Sequence, residues 1–222
     1  GIYTCSGGRS APGFDSTIIR IDTDSGLVGW GEMAPLGAFY DPSFAGGARA
    51  ALSELAPTLI GDDPLQIRAV NRRMDHVLNG HPYAKSAIDM ACWDLAGKNA
   101  NQPLAEMLGG RFGHAVALYR SVSQAEPDRM AEQARRYVEA GYRRIQVKVG
   151  LDPDEDIVRM RAVRDVLPRD VILFADANGS WGTHQVRRFL RGTRDLDYSL
   201  EQPCGSYEEC LAIRGDCDRP LI

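Results

Sequence analysis

Three polar residues closing apolar stretches mark where this chain could do chemistry. In Ile145-Gln146-Val147-Lys148-Val149-Gly150, Gln146 and Lys148 are two apart, so on a strand both point the same way. Val171-Ile172-Leu173-Phe174-Ala175-Asp176 ends in a carboxylate with Asn178 two further on, and Tyr198-Ser199-Leu200-Glu201 brings a second carboxylate 25 residues later. Carboxylates at neighbouring strand ends suit a hard cation such as Mg2+, which takes a few protein oxygens and keeps positions open for substrate. A lysine beside that cation becomes a usable base. The cation stabilises the charge formed when a proton leaves the carbon next to a substrate carboxylate, while crowding and positive charge lower the lysine pKa. Each residue alone has a plainer reading: Lys148 as a solvated charge, Asp176 as the cap of a turn or helix, Glu201 as an ordinary strand end. Their recurrence at the same phase of successive units favours the chemical one.

The elements that must position them alternate. After residue 112 the pattern reads strand Ala115–Ser121, helix Asp128–Glu139, strand Arg144–Val149, helix Pro153–Val166, strand Val171–Asp176, helix Thr183–Arg194 and strand Tyr198–Glu201. Pro127 and Pro153 stand near helix starts and Gly141 follows a helix end. Alternating βα units imply a parallel sheet, doubly wound or closed as a barrel. Tyr119-Arg120-Ser121-Val122-Ser123 lacks the glycine fingerprint of a dinucleotide-binding sheet, which favours the barrel. Arg219-Pro220-Leu221-Ile222 reads as a further strand beginning, so about five strands of a possible eight are expected, an incomplete barrel.

The first 112 residues are organised differently. Ser16–Ile21 and Leu27–Glu32 read as a hairpin around Asp24-Ser25-Gly26, followed by helices from about Phe44 to Leu59, from Pro64 to Leu78 and from Ala84 to Asn99. Segregated β then α implies an α+β domain over 1–112, with the barrel portion over 113–222.

Composition narrows the function classes. The 222 residues are 44% hydrophobic, enough for a core, and the formal charge of -4 offers no basic field for nucleic acid or an anionic membrane. No apolar run approaches a membrane span and the first residues lack signal-peptide character, so a cytoplasmic protein is expected. Cys5, Cys92, Cys204, Cys210 and Cys217 show no CxxC spacing and read as reduced, buried thiols.

At these residues the sequence resembles the enolase superfamily, specifically its mandelate racemase and muconate lactonizing enzyme group. Gly26-Leu27-Val28-Gly29-Trp30-Gly31-Glu32 is similar to the family's "GlxGwGE" strand, and Ala87 to Lys98 to its "AiDiAcwDilGK" helix. Lys148-Val149-Gly150, Asp176-Ala177-Asn178-Gly179 and Glu201-Gln202-Pro203 are similar to "KxKxG", "DAN" and "EQP". The resemblance implies an α+β cap on a modified (β/α)8 barrel and a Mg2+-dependent enzyme that removes the proton next to a carboxylate. It makes Lys148 the acid/base, Asp176 and Glu201 the first two metal ligands, and Asn178 a polar position near the metal. Gln146 stands where the family has its first lysine, so it is expected to orient substrate rather than supply charge. The third metal carboxylate and a second lysine are expected beyond Ile222, leaving the chain a fragment of the functional protein or a disabled remnant.

Substrate choice in this family lies in cap loops, here Cys5–Arg9 and Pro35–Tyr40. With Gln146 and the stretch Glu201–Cys210, these are similar to members acting on proline derivatives. The expected reaction is dehydration of a 3-hydroxyproline, a lyase activity, with epimerisation of a 4-hydroxyproline betaine as the alternative. Tyr40 is placed against the pyrrolidine ring or its cationic nitrogen. The expected partners are a small carboxylate substrate and further copies of the chain in a homo-oligomer.

Overall fold

The computed structural model describes residues 3–11, 13–40 and 44–222. Two compact units emerge: Ala11–His114, and a second made of Gly1–Ser10 with Ala115–Ile222. This grouping differs from the division at 112/113 chiefly in its first ten residues, which go with the second unit. A short ribbon of β1 (Tyr3–Thr4) and β2 (Ser10–Ala11) brackets the Cys5–Arg9 loop.

In the Ala11–His114 unit the hairpin forms as expected. β3 (Thr17–Asp22) pairs antiparallel with β4 (Val28–Met33), Thr17 opposite Met33 and Asp22 opposite Val28. The turn between them uses Gly26 at φ +81, and Thr23 Oγ1 donates to Leu27 O at 2.8 Å. Helices α1 (Ala45–Leu59), α2 (Ile67–Val77) and α3 (Pro82–Ala100) follow, then the short α4 (Leu104–Met107). The second helix starts at Ile67 rather than Pro64. Asp63 Oδ1 accepts from Leu65 N at 2.9 Å, and this side-chain turn occupies the residues that would have made the first helical turn.

β4 and α3 meet through small residues. An added Cβ would stand 2.4 Å from Ala91 O at Gly29 and 1.9 Å from Ala87 O at Gly31. Backbone therefore lies against backbone, and the alternation that buries Gly29, Gly31 and Met33 exposes Trp30 and Glu32. Asp94 and Lys98 on α3 clamp the strand: Trp30 N donates to Asp94 Oδ2 at 2.9 Å, and Lys98 Nζ donates to Asp94 Oδ2 at 2.6 Å and to Val28 O at 2.7 Å. Met33, Leu55, Met74 and Ile88 are prominent in the core beneath.

The second unit alternates strand and helix: β5 (Arg120–Val122), α5 (Pro127–Glu139), β6 (Arg144–Lys148), α6 (Pro153–Asp165), β7 (Ile172–Asp176), α7 (Thr183–Gly192), β8 (Ser199–Glu201) and α8 (Tyr207–Ile213). The strands lie parallel in the order β5-β6-β7-β8, a partial barrel wall backed by helices. The expected strand over 115–121 is shorter than read: its pairing begins at Arg120 opposite Ile145, and Val116, Leu118 and Tyr119 are exposed without a partner strand. The strand at the other edge is seen as one parallel bridge, Leu200 with Leu221. Asp152 starts α6 by accepting from Asp154 N and Glu155 N, with Pro153 in the first turn, a sequence-legible cap. Ile145, Val147, Leu173 and Leu200 pack with Met160, Val163 and Phe189 of the helices, which leaves the opposite strand face to other residues. Cys5, Cys92, Cys204 and Cys217 are buried and Cys210 half-buried, all as free thiols. Among the described residues, no helix is long and apolar enough to cross a membrane.

Candidate active site

Sheet register builds the site. Lys148 lies opposite Asp176, and Asp176 opposite Glu201, so one residue from each of three strands forms a row at their C-terminal ends. Gln146 precedes Lys148 by two on the same face. Just past each strand the backbone enters the left-handed region: Gly150 at φ +114, Asn178 at +46 and Gln202 at +38. The two non-glycine cases are sparsely populated conformations of the kind found where a fold holds functional groups in place.

The side chains form one network. Lys148 Nζ donates to Asp176 Oδ2 at 2.5 Å and to Asn178 Oδ1 at 3.1 Å. Gln146 Nε2 donates to the same Asp176 oxygen at 3.1 Å and to Glu201 Oε2 at 2.7 Å. Asp176 Oδ1 accepts from Asn178 N at 2.8 Å, so the turn-capping alternative read from sequence holds together with the ion pair. Asp176 is 1% exposed and Lys148 and Gln146 5% each, and charges that deep persist only when paired and hydrogen-bonded. Counting Lys148 against Asp176 and Glu201 leaves one negative charge in excess.

The structure thus brings together Gln146, Lys148, Asp176, Asn178 and Glu201. Tyr40 belongs to the Ala11–His114 unit, where it is half-exposed and its N–H donates to Gly37 O in a turn. Among the described residues no group of three or more His, Cys, Asp or Glu side chains is gathered for a metal. Asp176 and Glu201 supply two hard oxygen donors of the kind Mg2+ takes. The Asp176 oxygen shared by Lys148 and Gln146 already accepts from one cationic and one neutral donor.

Sequence reasoning missed two supports. Ser6 Oγ donates to Asp176 O at 2.6 Å, a contact across 170 residues that no local pattern announces. Beside it the Cys5 thiol is pushed up by burial against the opposing pull of Lys148. Asp156, fully buried, accepts from Gly150 N at 2.8 Å and Leu151 N at 2.9 Å, and from Arg159 Nη1 at 2.7 Å. It fixes the loop that leaves Lys148. Its signal was present, since Asp156 is a carboxylate in helical phase with buried Met160 and Val163.

Two family models match successive parts of the chain: "Mandelate racemase / muconate lactonizing enzyme, N-terminal domain" over residues 14–109 and "Enolase C-terminal domain-like" over 129–221. The chain belongs to the mandelate racemase/muconate lactonizing enzyme group of the enolase superfamily. It is 48% identical to the cis-3-hydroxy-L-proline dehydratase of Roseibium aggregatum, over 100% of this chain and 60% of that protein. Among solved structures, a member of the enolase superfamily from Roseovarius nubinhibens ISM complexed with magnesium matches at TM-score 0.87 and 40% identity, over 94% of this chain and 57% of that one. A dipeptide epimerase from Cytophaga hutchinsonii complexed with Mg and D-Ala-L-Val matches at TM-score 0.92 and 30% identity, over 100% and 60%. The chain therefore spans about 60% of the length of the relatives it matches.

Proposed function

We propose that this chain carries the first part of the active site of a Mg2+-dependent lyase that dehydrates cis-3-hydroxy-L-proline. The observation that supports the chemistry is the shared Asp176 oxygen, which couples the lysine, the glutamine and, through Gln146, the second carboxylate. The choice of substrate is supported by 48% identity to a dehydratase of that name.

In this reading Asp176 and Glu201 hold Mg2+, which when bound supplies a Lewis acid for the substrate carboxylate. Lys148 Nζ now neutralises Asp176 at 2.5 Å, and a Mg2+ held by the two carboxylates would supply that countercharge in its place and leave the amine available as a base. Lys148 then moves a proton at the substrate α-carbon. The α C–H electron pair forms the double bond to C3 as the C3–O bond breaks, the departing hydroxide takes a proton from solvent to leave as water, and the enamine becomes the imine by losing its N–H proton and gaining one at C3. Both hydrogens of Gln146 Nε2 are spent on carboxylates, and its Oε1 takes no donor among the described residues, so in this reading that oxygen accepts from the substrate ring N–H. A lysine there would only donate. Asn178 holds Lys148 in place through its side-chain oxygen.

The test uses protein expressed from the complete coding sequence, with Mg2+ and cis-3-hydroxy-L-proline in D2O. The expected result is imine formation in the native protein and a loss of at least about a thousandfold in Lys148→Ala, the scale of a general base. Recovery of α-deuterated amino acid without imine would instead establish an epimerase, the reaction type of the dipeptide-epimerase relative. Neither imine nor exchange in folded, metal-loaded protein would sink the catalytic reading.

A further inference from the structure

At the end of the parallel sheet away from the carboxylates lies a cleft of about 370 Å³, walled by the C-terminal half of α7 and the segment running up to Leu221. That size lies within the range of small-ligand sites. Arginine dominates it. Arg187 and Arg191 share a face of α7 one turn apart, Arg194 follows just past the helix end, and Arg219 closes the far side. Opposed to these four positive charges are Asp216 and Asp218 alone, an excess of two in a chain whose formal charge is -4.

The four arginines are not equally engaged. Arg219 is nearly spent: it is 8% exposed, its Nε and Nη2 donate to the carbonyls of Leu196 and Thr193, its Nη1 pairs with Asp218, and it stacks on Tyr198 at 4.6 Å. Arg187 is half-spent, with Nε on Asp216 Oδ2 at 2.7 Å and Nη2 on Ala212 O at 3.1 Å. Arg191 and Arg194 are exposed, and their guanidinium groups have no hydrogen bond or ion pair among the described residues. Other arginines of the same surface are paired: Arg188 with Asp154, and Arg161 with Asp195 at 2.7 Å. Two unpaired guanidinium groups thus face one walled cleft, with a third offering its remaining nitrogen.

We propose that this cleft binds a small phosphorylated anion carrying two phosphoryl groups. Guanidinium forks match phosphoryl oxygens bidentately. One turn of helix separates Arg187 from Arg191 by about 6 Å along the axis, more than a single phosphate spans. Asp216 and Asp218 keep the arginines apart and in place while leaving net positive charge.

Pyrophosphate, inorganic phosphate and ADP are the probes, titrated calorimetrically into the full chain at constant ionic strength. Saturable binding of one pyrophosphate per chain is expected, at least tenfold tighter than inorganic phosphate. Equal affinity for ADP would show that the phosphoryl groups alone are read, and tighter ADP binding that a nucleoside is read with them. Arg191→Gln with Arg194→Gln should weaken pyrophosphate at least tenfold, whereas Arg188→Gln, which removes charge from α7 outside the cleft, should leave it within twofold. Asp216→Asn should strengthen it by freeing Arg187. Absence of saturable binding, or equal losses in the Arg188 and Arg191/Arg194 variants, would overturn the proposal. A melting temperature within a few degrees of the parent shows that each exposed variant is folded.

Discussion

The β4–α3 contact and the ends of β6, β7 and β8 are both tightly buried, but by opposite means. At the first, side chains have been removed: Gly29 and Gly31 let strand backbone touch helix backbone at Ala87 and Ala91. At the second, the polar side chains Gln146, Lys148 and Asp176 are buried together and hydrogen-bonded to one another. The first arrangement is complete in itself. The second sacrifices packing to hold charge, which an apolar strand end would do without, and that contrast separates a structural motif from a chemical one.

Substitutions can break the comparison on either side. The largest effect is expected at Gly31→Ala, where the new carbon meets backbone that cannot rotate away. A loss of about 3 kcal/mol in urea unfolding is expected, and a loss under 1 kcal/mol would show that α3 can shift freely from β4. Next is Lys148→Met, which leaves buried Asp176 with amide partners only. About 2 kcal/mol is expected, below the usual cost of an orphaned buried charge because Gln146 and Asn178 still donate. Adding Asp176→Asn should recover part of it, and strict additivity in the double-mutant cycle would deny that the pair is coupled.

The smallest effect sharpens the first region. Lys98's hydrogen bond, helped by Trp30 N–H and opposed by partial burial, holds the Asp94 carboxyl below its ordinary range. A depressed carboxyl contributes stability that is complete above its unfolded value, near pH 4, and is lost as pH falls through the folded one. Asp94→Asn should therefore cost about 1 kcal/mol at neutral pH, small because a third of the side chain is exposed. The variant's deficit should shrink on acidification below about pH 4, and a deficit constant down to pH 2 would show that the carboxylate charge plays no part.

Much of this was legible in residue order. The βα alternation, the β3–β4 turn and the phase of Lys148, Asp176 and Glu201 are local patterns, and each appears where periodicity put it. Sequence misled where pairing rather than propensity decides. Residues 115–119 have strand-like side chains but no strand beside them, and Asp63 diverts the chain before α2. Gln146 was readable as a replaced lysine, but its tie to both carboxylates depends on register across three strands. The arginine cleft was not legible, because the segment that closes it against Arg187 and Arg191 of α7 comes from more than twenty residues further on.

Ser6 on Asp176 has a consequence for inheritance. One compact unit is inserted within the other, because the chain's first ten residues group with the portion that begins at Ala115. A recombination event that replaced the Ala11–His114 unit would need two junctions, one on each side, and a single crossover near His114 would import a foreign Ser6 loop with it. Exchange of the Ala11–His114 unit between relatives by one crossover therefore carries a foreign contact to the backbone of Asp176 along with it.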